Sequence, residues 1–258
     1  MRTTRLYLGA LVATIALLAV ACGDDATTTA EAPSSTTTTT TTTTTVAVVE
    51  DDSASTTTST EAPAAETSTF VAEVWADNWF ALHVNGELVG EDSVPITTER
   101  SFNAETITFE AAYPLTIAIE AKDFKETDSG IEYIGAGNQQ MGDGGLIVQI
   151  TDSATGDTVA VSDDSWSALV VHRAPLNTEC ERDPDPDTTC EFEITPTPQG
   201  WATADFDDAG WGAATVWSAA DVSPKDGYDE IDWAAEAQLI WGSDLEVDNT
   251  VLLRTTVG

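Results

Sequence analysis

An irregular stretch between two apolar runs carries the side chains best suited to binding a polar ligand. It covers residues 133–145 and combines an aromatic ring, amides and a carboxylate with several glycines. Such groups stack on sugar rings and hydrogen-bond hydroxyls, and an irregular loop of this length calls for a functional explanation or for disorder. A structural crossover with tight glycine turns is the alternative. The candidate ligand-binding residues are Tyr133, Asn138, Gln139, Gln140 and Asp143.

Aromatic side chains are the second possible source of ligand contacts. All eight tryptophans follow residue 70, and most are expected in a core, since aromatic residues dominate buried packing. Tyr228 and Trp233 lie in a polar stretch with Gly, Pro and Asp. We therefore expect these two at the surface and add them to the candidate ligand-binding residues.

An alternating acidic run suggests a cation site. Asp183, Asp185 and Asp187 are separated by prolines, and calcium takes about six to eight hard oxygen ligands. Alternation with proline extends the chain and spreads the carboxylates apart, which favours a solvated acidic tip instead. Structural calcium is the one cofactor for which the sequence offers candidate ligands.

Cysteine usage indicates an oxidising compartment. Cys180 and Cys190 flank this acidic run and are predicted to form a disulfide. Zinc is a poor alternative, because no histidine lies nearby and no C-x-x-C pair occurs.

Motifs for catalysis are missing from the sequence. His83 lies within an apparent strand and His172 ends one, which suits packing better than chemistry. No G-x-S-x-G, H-E-x-x-H or phosphate-binding loop occurs. A carboxylate pair for glycoside hydrolysis stays an alternative, but an abundance of acids does not identify one. We therefore expect a non-catalytic protein.

The N-terminus has the features of an export signal. Arg2 and Arg5 precede an apolar run over residues 6–20, which is shorter than the roughly 20 residues that span a bilayer. Residues 18–23 (LAVACG) resemble the bacterial lipobox, which implies cleavage after residue 21 and lipidation of Cys22. An ordinary cleaved signal with a free Cys22 is the alternative. The resemblance implies a lipid anchor on the outer face of the cell membrane.

A threonine-rich tether follows, over residues 22–69. It contains an unbroken threonine run at 36–45 and almost no large apolar side chains. Such a segment cannot offset the entropy of ordering, so we expect disorder. Its composition is also typical of O-glycosylated stalks.

The chain is strongly acidic, with a formal net charge of −36. This charge disfavours nucleic acid and anionic lipid as partners, leaving the lipid anchor as the membrane contact. Three explanations of this acidic charge remain: solubility in a salty habitat, divalent-cation binding and attraction to a basic partner.

Residues 70–258 are predicted to form one all-β domain. Turn signals recur every 8–12 residues, which is typical of a sandwich or barrel, and Asn85-Gly86 is a strong hairpin signal. A short helix is predicted at 207–211, where an aspartate could cap the first turn. The predicted strands are 70–76, 80–84, 87–89, 106–109, 115–119, 146–150, 158–161, 166–171, 190–194, 239–241 and 251–257.

Several segments resemble the galactose-binding-like jelly roll, a β-sandwich found in carbohydrate-binding modules. The matching segments are 76–86 (ADNWFALHVNG), 113–121 (YPLTIAIEA), 163–166 (DDSW), 200–211 (GWATADFDDAGW) and the pair 239–241 (LIW) with 251–254 (VLLR). In many relatives the last pair precedes the hairpin, whereas here it closes the chain, which implies a permuted or variant sandwich.

The resemblance implies a jelly-roll-like antiparallel β-sandwich that binds a carbohydrate without catalysis, and a structural calcium is familiar in that family. Fold alone does not establish function. A structural or adhesion protein that binds another envelope protein is the alternative, and a glycan hydrolase is a weaker one.

Overall fold

A computed structural model describes residues 66–97, 103–123 and 125–258. The predicted signal peptide, Cys22 and almost all of the tether lie outside the described residues. The strands are β1 (Ser68–Asp77), β2 (Trp79–Val84), β3 (Glu87–Glu91), β4 (Ala104–Ala111), β5 (Leu115–Lys122), β6 (Ile131–Glu132), β7 (Gln140–Met141), β8 (Gly145–Asp152), β9 (Thr158–Val161), β10 (Ser167–Arg173), β11 (Glu193–Ile194), β12 (Gly212–Ala213), β13 (Thr215–Trp217), β14 (Leu239–Trp241) and β15 (Asp248–Val257). The helices are α1 (Pro186–Thr189) and α2 (Ala219–Val222), with 3₁₀ turns at Thr178–Arg182 and Tyr228–Glu230.

The strands form two antiparallel sheets packed face to face. Sheet A has the order β13-β14-β8-β1-β4, with β9 also pairing with β8. Sheet B has the order β11-β10-β15-β5-β2-β3, with β12 also pairing with β10. A separate small hairpin joins β6 to β7. The all-β sandwich prediction is confirmed.

Alternation along the strands creates the core between the sheets. Phe70, Ala72 and Val74 of β1 face Phe80 and Leu82 of β2, and all five are fully buried in one hydrophobic cluster. Each large apolar side chain buried in this way contributes about 1.5–3 kcal/mol. The intervening residues of the same strands point outward and are available for polar contacts.

The β2–β3 hairpin turns at Asn85-Gly86 as predicted. Both residues have positive φ, 53° and 90°, as a tight two-residue hairpin requires. The Asn85 side chain accepts the Thr116 N–H at 2.8 Å and donates to the Ala112 carbonyl at 3.0 Å. The turn is therefore fastened to the start of β5.

Two sequence predictions are wrong in detail. Residues 207–211 form a turn and not a helix, because the Asp207 carboxylate accepts the Ala209 N–H at 3.1 Å and the chain then enters β12. Of the strand predicted at 190–194, only Glu193–Ile194 is extended and paired, and the side chains of Phe192 and Ile194 are 46% and 52% exposed.

Two further observations concern the start of the domain and the length of its helices. Strand β1 begins at Ser68, two residues before the predicted start of the domain. Within the described residues, no helix combines the length and apolarity needed to cross a membrane.

The hairpin turn yields a stability prediction. Gly86→Ala should lower the free energy of unfolding by roughly 1–2 kcal/mol, because an alanine is strained at positive φ and its Cβ would lie 3.1 Å from Thr203 Cγ2. Urea unfolding of this variant measures the loss. Gly210→Ala is the control, since a Cβ there meets nothing within 4 Å. Equal stability of the two variants would contradict the prediction.

Candidate functional site

The predicted binding loop is held by its own amide side chain. Gln139 is 7% exposed, and its Oε1 accepts the Gly135 N–H at 2.7 Å. Its Nε2 donates to the carbonyls of Glu181 and Asp183, both at 2.8 Å. All the hydrogen-bonding atoms of this side chain are engaged, so Gln139 joins the loop to the disulfide-bearing segment.

The loop and that segment form one small lobe. The predicted disulfide Cys180–Cys190 is present, with an S–S distance of 1.96 Å, and it packs with Ile131 and Met141. Asn138 is exposed, and Tyr133 is half-buried. Gln140 is exposed and donates to Glu132 Oε2 at 3.2 Å. Only part of the predicted ligand-binding set therefore faces solvent.

The alternating aspartates do not converge. The Asp183 carboxylate accepts the Asp185 N–H at 2.9 Å, and Asp185 precedes α1 as its N-cap residue. Asp187 lies in the first turn of α1 and is exposed. In the described ranges, no three Asp, Glu, His or Cys side chains are grouped to hold a metal ion. The alternating prolines and the short helix account for this separation.

Asp143 takes part in an ion-pair cluster around the buried Asp77. The Lys225 ammonium lies 3.2 Å from Asp77 Oδ2 and 3.3 Å from Asp143 Oδ1. Asp77 ends β1 and is 1% exposed. Burial raises the pKa of Asp77 to about 7, Lys225 opposes this rise, and the carboxylates of Asp143 and Glu132 add to it. Desolvation lowers the pKa of Lys225, but attraction to the two aspartates outweighs it and raises the pKa overall.

This cluster predicts a pH-dependent stability. Because the folded pKa of Asp77 lies near 7 and its ordinary value is 3.8, protonated Asp77 stabilises the fold below about pH 4, and this contribution is lost as pH rises through about 7. Asp77→Asn should therefore gain stability over the wild type between about pH 4 and pH 8, by on the order of 2 kcal/mol.

Urea unfolding across that pH range measures the difference. Lys225 does not titrate within this range, because its pKa lies above its usual 10.5. Asp187→Asn, whose carboxylate is exposed, should follow the wild type at every pH. Parallel pH curves for wild type and Asp77→Asn would refute the prediction.

Tyr228 and Trp233 pack against the outer face of sheet A. The Trp75 ring lies 5.7 Å from that of Tyr228, which lies 5.9 Å from that of Trp233. The Trp233 indole N–H donates to the Tyr228 carbonyl at 3.0 Å. Both predicted surface aromatics are half-buried and belong to a second hydrophobic cluster with Trp75, which limits the ring surface they offer to a ligand.

The outer face of sheet B holds a polar and aromatic group that the sequence interpretation missed. Trp79 of β2 lies directly opposite Lys122 of β5, and the Lys122 ammonium sits 4.7 Å from the centre of the indole. The same ammonium is 3.0 Å from Glu120 Oε1. The side chains of Lys122 and Glu120 are 25% and 28% exposed, and Trp79 is half-buried. We call these three residues the sheet B triad.

An aromatic segment lies beside the triad on the same face. Trp201 contacts His83, two positions beyond Ala81 on β2, with the rings 5.7 Å apart. Trp201 also stacks with Trp211 at 6.4 Å. All three rings are half-buried. The face therefore presents indole rings on either side of Ala81.

Arg254 fastens this aromatic segment to sheet B. Its side chain is 4% exposed, pairs with Asp208 Oδ2 at 3.0 Å, and donates to the carbonyls of Trp201, Thr203 and Phe206. The guanidinium also lies over the Phe206 ring at 5.3 Å. One side chain therefore joins three backbone carbonyls of this segment to β15.

Arg254→Met should therefore destabilise the domain by roughly 2–4 kcal/mol, because the carbonyls of Trp201 and Phe206 and the Asp208 carboxylate lose the Arg254 donor. Arg254→Lys should recover part of the loss, since lysine keeps the charge but not the forked geometry. Thermal unfolding of the two variants tests this order. Identical melting temperatures for wild type and Arg254→Met would be incompatible with this role.

Strand alternation was the one signal that could have indicated the triad. Glu120 and Lys122 alternate with the core residues Ile119 and Ala121, so their outward direction could be read from the sequence. The pairing of β2 with β5 could not, because other strands were equally eligible partners.

The geometry defines an antiparallel β-sandwich with a polar and aromatic outer face. No family model, curated protein or solved structure matches this chain.

Proposed function

We propose that this protein is a non-catalytic carbohydrate-binding protein of the bacterial cell surface, anchored by lipid at Cys22. The observation that carries the proposal is the sheet B triad, in which an indole, an ammonium and a carboxylate adjoin on an outer sheet face. Here the ligand contacts come from a sheet face, and not mainly from residues 133–145.

The chemistry of the triad suits a sugar ring. One face of a pyranose presents C–H groups, which pack on the apolar surface of an indole. Its hydroxyls both donate and accept hydrogen bonds, and charged partners make the stronger ones. Lys122 offers donors and Glu120 offers acceptors beside the same ring. Because the two charges cancel locally, the triad suits a neutral sugar better than a charged one.

Burial supports a non-catalytic protein. Glycoside hydrolysis needs two carboxyl groups facing each other across an accessible cleft. Asp77 and Asp143 share Lys225, but Asp77 is 1% exposed. A buried carboxyl group of this kind cannot reach a substrate, so the pair fits a structural role.

The sequence outside the described residues supports surface display. A signal ending at Cys22 and a threonine-rich segment suit a lipid-anchored protein whose domain stands away from the membrane. The net charge of −36 keeps such a domain off anionic headgroups and nucleic acid. The expected partner is a glycan of the cell's own envelope or of its surroundings.

A glycan array tests the proposal, using the mature chain with Cys22→Ser to prevent lipidation. We expect binding to neutral oligosaccharides, and Trp79→Ala should weaken it at least about tenfold, because about 1.4 kcal/mol of ring contact is lost. Lys122→Ala should also weaken binding. Lys125→Ala is its matched control, since Lys125 pairs with Asp128 and not with a member of the triad.

Two outcomes would contradict the proposal. Binding that survives Trp79→Ala and Lys122→Ala unchanged would place the site elsewhere. Absence of binding to every glycan, with and without calcium, would favour the second candidate, an adhesion protein that binds another envelope protein.

That candidate has its own support, because Phe192, Ile194 and Leu176 are 45–52% exposed beside the edge strand β11, and exposed apolar side chains at a sheet edge suit protein contacts.

A further inference from the structure

Strand β15 of sheet B has an open edge near its end. It pairs with β5 through Val257, which lies opposite Leu115. Its pairing with β10 stops earlier, at Arg254 opposite Ser167. Among the described strands, none pairs with residues 255–257 on the β10 side. This stretch of backbone is therefore open to another strand.

The edge is open because the chain turns away just before β10. The Trp166 N–H reaches the Asp163 carbonyl at 3.4 Å, and the Asp163 carboxylate accepts the Ser165 N–H at 2.9 Å. The Trp166 ring is 1% exposed in the core, and its indole N–H donates to the Val161 carbonyl at 2.8 Å. This turn directs the chain toward sheet A, so it does not run beside residues 255–257.

Two cavities adjoin the open edge. One of about 350 Å³ is lined by Thr255 and Val257, which share the inward face of β15 with the core residue Leu253. The other, of about 470 Å³, is lined by Arg254, Thr255 and Thr256. We call them the inner and the outer cavity. Alternate side chains of a strand point to opposite faces, so those of an added strand would enter the two cavities in turn.

The inner cavity combines an apolar wall with acidic groups. Its wall includes Val159, Ala160, Trp166 and Val257, which belong to the main core cluster or pack against it. Asp163 and the exposed Glu236 line the same cavity, and no described lysine or arginine does. A basic side chain fits this combination, because its stem packs on apolar surface while its charged end stays near carboxylates.

The outer cavity is polar and locally neutral. Ser165, Ser167 and Thr256 contribute hydroxyl groups to its lining. The Arg254 guanidinium and the Asp208 carboxylate also line it, and they form an ion pair at 3.0 Å. A short side chain with a hydroxyl group suits this cavity, since it can exchange hydrogen bonds without leaving a charge unpaired.

Charge complementarity favours a basic partner over the chain itself. The apolar run at residues 46–49 could supply a strand, but Glu50, Asp51 and Asp52 follow it directly. These acids would meet the carboxylates of the inner cavity. A second copy would add its own formal charge of −36 and repel the first. A basic segment of another protein meets neither cost.

We propose that the open edge of β15 binds an extended basic segment of another protein, which adds a strand to sheet B beside residues 255–257. Main-chain hydrogen bonds supply affinity in such strand addition, and the cavities select alternate side chains. Here the inner cavity takes a basic side chain and the outer cavity a small polar one. The sheet B triad includes Lys122, opposite Thr250 at the other end of β5, so this site does not depend on sugar binding.

A nuclear magnetic resonance titration of the mature Cys22→Ser chain tests the proposal, at about 0.15 M salt to screen long-range attraction. The probe is a short end-blocked peptide of alternating threonine and lysine. It should shift the amide signals of residues 255–257 and 165–167. Replacing each lysine of the peptide by glutamate should weaken binding at least about tenfold, because like charges then meet at the inner cavity.

Methylated peptides separate strand addition from general attraction between a basic peptide and an acidic protein. Alternate residues of a strand direct their N–H groups to opposite edges. One peptide is therefore methylated at every lysine amide and the other at every threonine amide, and only one of the two should lose binding. Equal binding of the two methylated peptides would overturn the proposal.

Protein variants locate the basic side chain. Glu236→Lys should weaken binding of the unmethylated peptide several-fold, because it reverses a charge that lines the inner cavity. Glu179→Lys is the matched control, since Glu179 is also exposed and lies in the disulfide-bearing segment. Equal affinities of the two variants would contradict the inner cavity as the basic pocket. Binding of a peptide of residues 46–52, or dimerisation that displaces the basic peptide, would overturn the choice of partner.

Discussion

Burial of apolar side chains between the two sheets is the interaction on which the rest of this structure depends. Phe70 and Val74 of sheet A and Leu82, Ile119 and Leu253 of sheet B exclude water from one shared core. Strand geometry then directs every second side chain outward. Each polar cluster described above occupies an outward position or a strand end, so its geometry is set by the core and not by its own weak contacts.

Self-repulsion between acidic side chains adds to the conformational entropy that this core must offset. The chain has nine basic residues against 45 acidic ones, and each lysine and arginine of the described residues contacts a carboxylate. The most buried of these pairs join separate parts of the chain. Arg173 meets Asp248 at 3.0 Å, Lys225 meets Asp77, and Arg254 meets Asp208. The scarce cations of the described residues thus lie where loops attach to the sheets.

Sequence patterns predicted the strands well because both alternation and turn chemistry are local. Strand β9 was predicted at its observed bounds, and the Asn85-Gly86 turn follows from the positive φ of its two residues. The wrong helix at 207–211 shows the limit of that method, since an aspartate caps a single turn as readily as a helix. The disulfide was predictable because Cys180 and Cys190 are the two cysteines that follow residue 70 and lie ten residues apart.

The candidate site was harder to predict, because it depends on strand pairing between distant segments. Gln139 resembles a ligand-binding amide in the sequence, yet its hydrogen bonds are used within the lobe. Trp79 resembles a core residue, yet it lies outward beside Lys122. Composition cannot separate these cases, since the same residue types serve both roles. What separates them is the direction that strand pairing and loop contacts give to each side chain, and that depends on register.

The outer face of sheet B, where we propose the ligand contacts, also differs from the loop at residues 133–145 in how its backbone groups are satisfied. A loop has to find hydrogen-bond partners for its own backbone groups. Here the Gln139 side-chain amide provides such hydrogen bonds, so it is not left for a ligand. In a sheet, strand pairing already supplies the hydrogen bonds of the backbone. The side chains of Glu120 and Lys122 are therefore not needed to hydrogen-bond backbone groups. Their positions are also fixed on both sides by β2 and β15. A rigid surface loses little entropy when a ligand binds, which favours recognition of a weakly binding partner such as a sugar.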